Sequence, residues 1–340
     1  MPIEQAVRAQ RTLRLASATA MSLALSFGLG LPIPFLSPVL TLFLAMSHRP
    51  LSLKNGLVLA LVAMLTTGSG LLLIPVLRYY PLSGVLSIGL GLFAAFRYGL
   101  RGGNNLIVIF LVMGMTMITA AGTADFGSAV MVIGALVKGI ILAVLALSLN
   151  HWLFPEPLDV PSASVAPGRS AAEISTVALR ATLIVMPTFI LSLVDPSQYL
   201  PIILKAVSLG QQSATTSRDA GRELLSSTLI GGLLAIVFWC ALSLFVHLWM
   251  FYLWMLLSGL LLGRRFYGLS RTTLSPGVWL NTFITLIILL GQSVQDSALG
   301  KDVYTAFAVR MGLFILVTLY ACLMMHVLGE RHRPLQQSFP

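Results

Sequence analysis

The sequence predicts an all-α integral membrane protein. About twelve transmembrane helices form two parallel six-helix repeats, with both termini cytoplasmic. Three observations carry this expectation. Hydrophobic residues make up 57% of the chain and charged residues 9%, where a soluble domain carries roughly 25% charged residues. Apolar runs of membrane-crossing length recur from one end to the other. Basic residues gather on alternate connections between those runs, which is the positive-inside pattern.

A spanning helix takes roughly 20 apolar residues, fewer where it is short or re-entrant. Runs of this kind fall at about 13–30, 34–47, 56–77, 82–97, 105–121 and 127–153. A second set falls at about 174–193, 199–212, 224–246, 247–263, 278–294 and 303–328. The run behind Arg8, Arg11 and Arg14 lacks a convincing cleavage site, so it reads as a first membrane helix and not as a removed signal. With the N-terminus in the cytoplasm, sixteen of the 21 Lys and Arg residues fall on that side. Only Arg78 and Lys301 fall on the other, and Lys138, Lys205 and Arg310 lie within runs. The net charge of +10 is thereby a signal of orientation in the membrane, and nucleic acid is not implied as a partner.

Six runs per half is an even number, so the halves share one orientation and are expected to repeat about an axis along the membrane normal. Short echoes recur in the same order in both halves. Leu13-Arg14-Leu15-Ala16 matches Leu179-Arg180-Ala181, and Phe96-Arg97-Tyr98-Gly99-Leu100 matches Arg265-Phe266-Tyr267-Gly268-Leu269. Val137-Lys138 lines up with Val309-Arg310. The resulting organisation is a first membrane repeat over 1–153, a cytoplasmic linker over 154–173, a second repeat over 174–328 and a cytoplasmic tail over 329–340. The linker, rich in Pro and Ser from Phe154 to Ser170, is too short for a soluble domain.

Charge inside the apolar runs is where function is sought, because an ion there is costly and usually has a purpose. All eleven acidic residues fall outside the runs by these boundaries. A buried Asp/Glu proton relay is therefore not expected, and Lys138, Lys205 and Arg310 are left without an evident buried carboxylate. Such a cation needs compensation. Snorkelling or structural pairing is one account; an anion pathway is the other. The case is weaker for Lys205, whose run is short.

The first helix pair of each half is broken by proline, at Pro32, Pro34 and Pro38 and again at Pro196 and Pro201. These breaks read either as ordinary turns or as helix starts that enter the membrane beside a pathway, where free N–H groups attract anions. Thr116, Thr119, Asn281, Thr282, Thr285 and Gln292 are polar within runs, and interhelical hydrogen bonding is their commoner role. The five histidines are scattered at run ends, the two cysteines sit in apolar runs, and no phosphate-binding glycine loop is present. Neither an enzyme nor a metal or other cofactor is expected.

One stretch and its surroundings resemble a known family. The run Arg222-Glu223-Leu224-Leu225-Ser226-Ser227-Thr228-Leu229-Ile230-Gly231-Gly232-Leu233-Leu234-Ala235 resembles the arginine, Thr-x-x-Gly and alanine run of the fusaric-acid-resistance and aromatic-acid-exporter family. The closing helix with Arg310, and Lys138-Gly139 leading to Leu153-Phe154-Pro155, are also similar to that family. Many members carry a large cytosolic domain between the halves, and this chain has only the linker. The resemblance implies a compact bacterial inner-membrane exporter of small organic anions such as aromatic carboxylic acids, working with a periplasmic membrane-fusion adaptor. Related anion channels make a passive channel the alternative, and a scaffold subunit of an efflux assembly is a third reading. The expected substrate-binding residues are Lys138, Arg310 and Lys205, with Pro34, Pro38 and Pro201 at the turns. The expected partners are the anion and membrane lipids; self-association stays open.

Overall fold

The computed structural model describes residues 2–46, 53–155, 170–213, 220–245 and 247–329. Most of the predicted linker and the tail from 330 onwards lie outside the described residues, as do Arg49, Arg169, Arg218, Arg331 and Arg333. Among the described residues every regular element is helical. The first six helices are α1 (Pro2–Gly28), α2 (Leu36–Ala45), α3 (Leu53–Tyr79), α4 (Pro81–Leu100), α5 (Asn105–Ala124) and α6 (Phe126–Leu153). The next six are α7 (Ala171–Ser192), α8 (Pro196–Ser213), α9 (Ala220–Leu244), α10 (Leu248–Phe266), α11 (Pro276–Ala298) and α12 (Val303–Gly329). Eight of them are long and apolar enough to cross a bilayer, so this is a multi-pass membrane protein.

Local chemistry explains where these helices start. The first four N–H groups of a helix lack intrahelical partners, and short polar side chains supply acceptors. Asn104 Oδ1 accepts from Leu106 N at 3.0 Å to open α5, and Asp125 Oδ2 accepts from Ser128 N at 2.8 Å to open α6. Ser170 and Glu173 form a reciprocal capping box on α7. Asp195 and Asp302 do the same work for α8 and α12, accepting from Gln198 N at 3.3 Å and Tyr304 N at 3.1 Å. Three of the acids facing the connections are thus helix caps.

The prolines divide differently from expectation. Pro34 lies in the α1–α2 turn, where its carbonyl accepts from Ser26 Oγ at 2.7 Å. Pro38 falls in the first turn of α2, where a missing N–H costs nothing. Pro201 is not at a helix start: α8 begins five residues earlier, at Pro196, and Pro201 is inside it. The chain break in the second half is therefore the short turn before Pro196.

Packing pairs recur between the halves. α1 packs on α10 and α7 on α4; α3 on α5 and α9 on α11; α2 on α6 and α8 on α12; α2 on α11 and α5 on α8. Adding six to each helix number exchanges the two members of every such pairing or maps it onto its counterpart. The second and fifth helices of each half form the centre. α5 and α11 bury 78% and 83% of their apolar windows, against 28–39% for α3, α4, α7, α9 and α12. Leu36–Leu44 of α2 and residues 201–210 of α8 are buried without interruption. Polarity alone does not show this arrangement, since the outer helices meet lipid and are as apolar as the inner ones.

Glycines permit the close helix approaches at equivalent places. A Cβ on Gly114 would lie 2.7 Å from Thr67 Cα, between α5 and α3. A Cβ on Gly231 would lie 2.7 Å from Thr285 Cβ and 2.9 Å from the Thr282 carbonyl, between α9 and α11. Gly231→Ala is expected to cost about 1–3 kcal/mol through overpacking, read as a lower unfolding temperature in detergent. Unchanged stability would show that α9 can move aside. At Gly114 the α5 helix also widens into one π turn, Gly114–Ile118, a local expansion often found near functional sites.

Candidate functional site

Two cavities lie at opposite ends of the central helices. One, of about 680 Å³, opens beside the turns after α1, α7 and α11. Pro32, Ile33 and Phe35 line it from the first turn, Met117 from α5, and Gln198, Leu200 and Pro201 from α8. Gln292, Gln295 and Asp296 of α11 and Arg310 of α12 complete its polar wall, with Lys301 and Asp302 at the rim. The second, of about 590 Å³, opens at the other end and is lined by Phe43, Phe96, Asn104, Ser208 and Gln211 among others. It carries no charged side chain among the described residues. α5, α8 and α11 contribute to both, so the two cavities lie along one line through the protein. Between them the chain is closed by buried apolar side chains, including Leu286, Ile287, Ile288 and Leu289.

Lys205 sits in that closed region. It is fully buried, because residues 201–210 leave α8 no exposed face. Nζ donates to Thr285 Oγ1 at 2.7 Å and to Asn281 Oδ1 at 3.2 Å. Ser208 Oγ donates to the same Asn281 oxygen at 3.3 Å, and Asn281 Nδ2 donates to Ser227 Oγ at 2.5 Å. Thr285 Oγ1 in turn donates to the backbone carbonyl of Asn281 at 2.7 Å. Side chains of three helices, α8, α9 and α11, thus join in one network, and the ammonium's partners in it, both on α11, are neutral oxygens. Ser208 belongs both to this cluster and to the wall of the smaller cavity. One more turn of α8 away, Pro201 lines the larger one.

Arg310 lines the larger cavity, and here the expectation of an uncompensated cation fails. Arg310 Nη2 donates to Asp296 Oδ2, and Lys301 Nζ lies 4.0 Å from the other oxygen of the same carboxylate. Asp296 is only 4% exposed. By sequence the eleventh run ends at about 294, with Asp296 beyond it. α11 in fact continues to Ala298, which turns Asp296 inward. Arg310 Nη1 is also buried, and has no hydrogen-bond partner among the described residues. Asp302 at the rim is held below the usual carboxylate range by the Thr305 hydroxyl and by the backbone N–H groups of Thr305 and Tyr304.

Lys138 does not join either cavity. It is exposed on α6, and its pairing with Arg310 by local sequence does not survive alignment by helix start. Lys138 is the thirteenth residue after its cap Asp125, and Arg310 the eighth after Asp302. Five residues of offset turn a side chain by about 140° and shift it by about 7.5 Å. Pro34 and Pro38 are buried but line neither cavity, whereas Pro201 does. Sequence reasoning missed Asp296 as a partner of Arg310. It named Asn281 and Thr285 as polar residues without linking them to Lys205. Their four-residue spacing on one helix face was the available signal.

Among the described residues no group of His, Cys, Asp and Glu is placed to hold a metal ion. A family model described as a protein of unknown function, DUF2955, matches residues 11–150, the first six helices without most of α1's opening turns. No curated protein and no solved structure matches the chain.

Proposed function

We propose that the chain exports small organic anions, aromatic carboxylates foremost, across the bacterial inner membrane. In this reading all twelve helices span the bilayer as two parallel repeats with both termini cytoplasmic. The chargeless cavity then opens to the cytoplasm and the Arg310 cavity to the periplasm. The observation that carries the proposal is Lys205: a fully buried ammonium, held among the described residues by neutral oxygens, on the line between two opposed cavities. Desolvating an ammonium costs several kcal/mol, and an ion retained there is a functional group by default. A carboxylate arriving from the Phe43–Phe96 cavity would replace the missing counter-charge. Outward movement of the anion is favoured by an inside-negative potential, by about 2.3 kcal/mol per charge per 100 mV.

The packed layer between the cavities supports alternating exposure over an open pore. Purified protein in proteoliposomes, supplied with labelled phthalate, is expected to show flux that follows an imposed potential. Single-channel currents in a planar bilayer would select the channel reading instead. Binding without flux would select the scaffold reading. The periplasmic adaptor rests on the family resemblance alone, and co-purification from the native membrane tests it.

Arg310→Ala is expected to lower flux by about tenfold or more, equivalent to about 1.4 kcal/mol, with the protein still in the membrane. Lys138→Ala, on the outer face of α6, is expected to transport as the parent does. Unimpaired flux through Arg310→Ala would remove the larger cavity from the route.

A further inference from the structure

We infer that Asp296 is a built-in competitor of the substrate: its carboxylate occupies Arg310 when the outer cavity is empty, and the arriving anion displaces it. This rests on the anion-transport reading above. The geometry points to it in three ways. Asp296 and Arg310 face the same cavity from neighbouring helices, α11 and α12. The carboxylate takes only one end of the guanidinium fork, through Nη2, while Nη1 is buried without a partner among the described residues. A guanidinium fork is shaped for a carboxylate that engages both of its ends, so the internal pair leaves part of the cation's capacity unused. An incoming carboxylate can satisfy both nitrogens.

The acid is unlike its neighbours. Asp125, Asp195 and Asp302 hold helix N–H groups, whereas Asp296 lies in the last turn of α11, where the helix dipole disfavours negative charge. Its placement there is accounted for by Arg310 and, more distantly, by Lys301 at 4.0 Å. Release of Asp296 from Arg310 would leave it beside Lys301 at the cavity rim. An exporter gains from this exchange, because a tethered acid lowers the affinity of an external site and so hastens release. The arrangement also keeps Arg310 neutralised during the empty return.

The test is equilibrium binding of benzoate to the detergent-purified full chain, with benzyl alcohol as the uncharged control. Asp296→Asn keeps the shape and removes the competing charge. It is expected to tighten benzoate binding by about tenfold, with no gain for benzyl alcohol. Benzoate affinity that is unchanged or weaker in a folded Asp296→Asn protein overturns the inference and leaves anion transport standing. Failure of parent and variant alike to bind benzoate overturns both readings. A structure of the parent chain with 4-iodobenzoate bound gives a readout that does not depend on the variant folding. The carboxylate is expected on Arg310 with Asp296 turned away; Asp296 still seated on Arg310 beside the bound ligand overturns the exchange.

Discussion

Lys205→Met is expected to abolish anion flux while leaving the protein as stable as its parent, or more so. The two effects have opposite signs for one reason. The ammonium is fully buried and bonded to Thr285 and Asn281, so folding bears its desolvation without a full counter-charge. Methionine has similar volume and needs no hydrogen bonds; replacing a buried ionic group by an apolar one of like size is often neutral or stabilising by about 1–4 kcal/mol. Transport loses the only charge between the two cavities among the described residues. A carboxylate crossing that layer would then be desolvated with no cation. Truncating one partner of a buried charge pair costs about 2–5 kcal/mol, so a flux decrease of roughly 100-fold is the expected reading. Proteoliposome flux and the unfolding temperature are measured on the same preparation. Parental flux through Lys205→Met would place the route elsewhere; loss of both flux and stability would make Lys205 a structural residue.

Asn281→Leu should produce the largest loss of stability at this site. Asn281 accepts from Lys205 and Ser208 and donates to Ser227, and it is itself fully buried. Leucine in its place leaves the ammonium with Thr285 alone. Hydrogen bonds between neutral side chains in membrane proteins contribute only about 0.6 kcal/mol on average. An ion deprived of its partner is a different matter, and a cost of about 3–5 kcal/mol is expected. The double variant Lys205→Met with Asn281→Leu removes the ion as well and should recover most of the loss. Thermal or denaturant unfolding of the four proteins closes the cycle. Simple additivity of the two changes would show that the asparagine acts through packing and not through the lysine.

The membrane class, the twelve helical stretches and the broken first helix pair of each half were legible in the residue order. Hydropathy and proline report directly on these features, since both act over a few consecutive residues. The three cations within apolar runs were equally plain, because a charge in such a run needs no structure to be noticed. Helix ends were less so: the apolar run stops at about 294 although α11 continues to Ala298, and only the packing of α11 against α12 turns Asp296 toward Arg310. The rank of the cations was not legible at all. Lys138 matched Arg310 in its neighbours, yet it stands five residues further along its helix and emerges on the exposed side.

By itself, the sequence determined that this chain lives in a bilayer, how many helical stretches it offers and which charges lie among them. Only the tertiary structure decided that α2, α5, α8 and α11 form the centre, that Lys205 lies between two cavities and that Arg310 already holds a carboxylate. The physical reason is that lipid and protein interior are both apolar. A membrane helix therefore shows its length in its composition, while the direction of each side chain is set by neighbours distant in the chain.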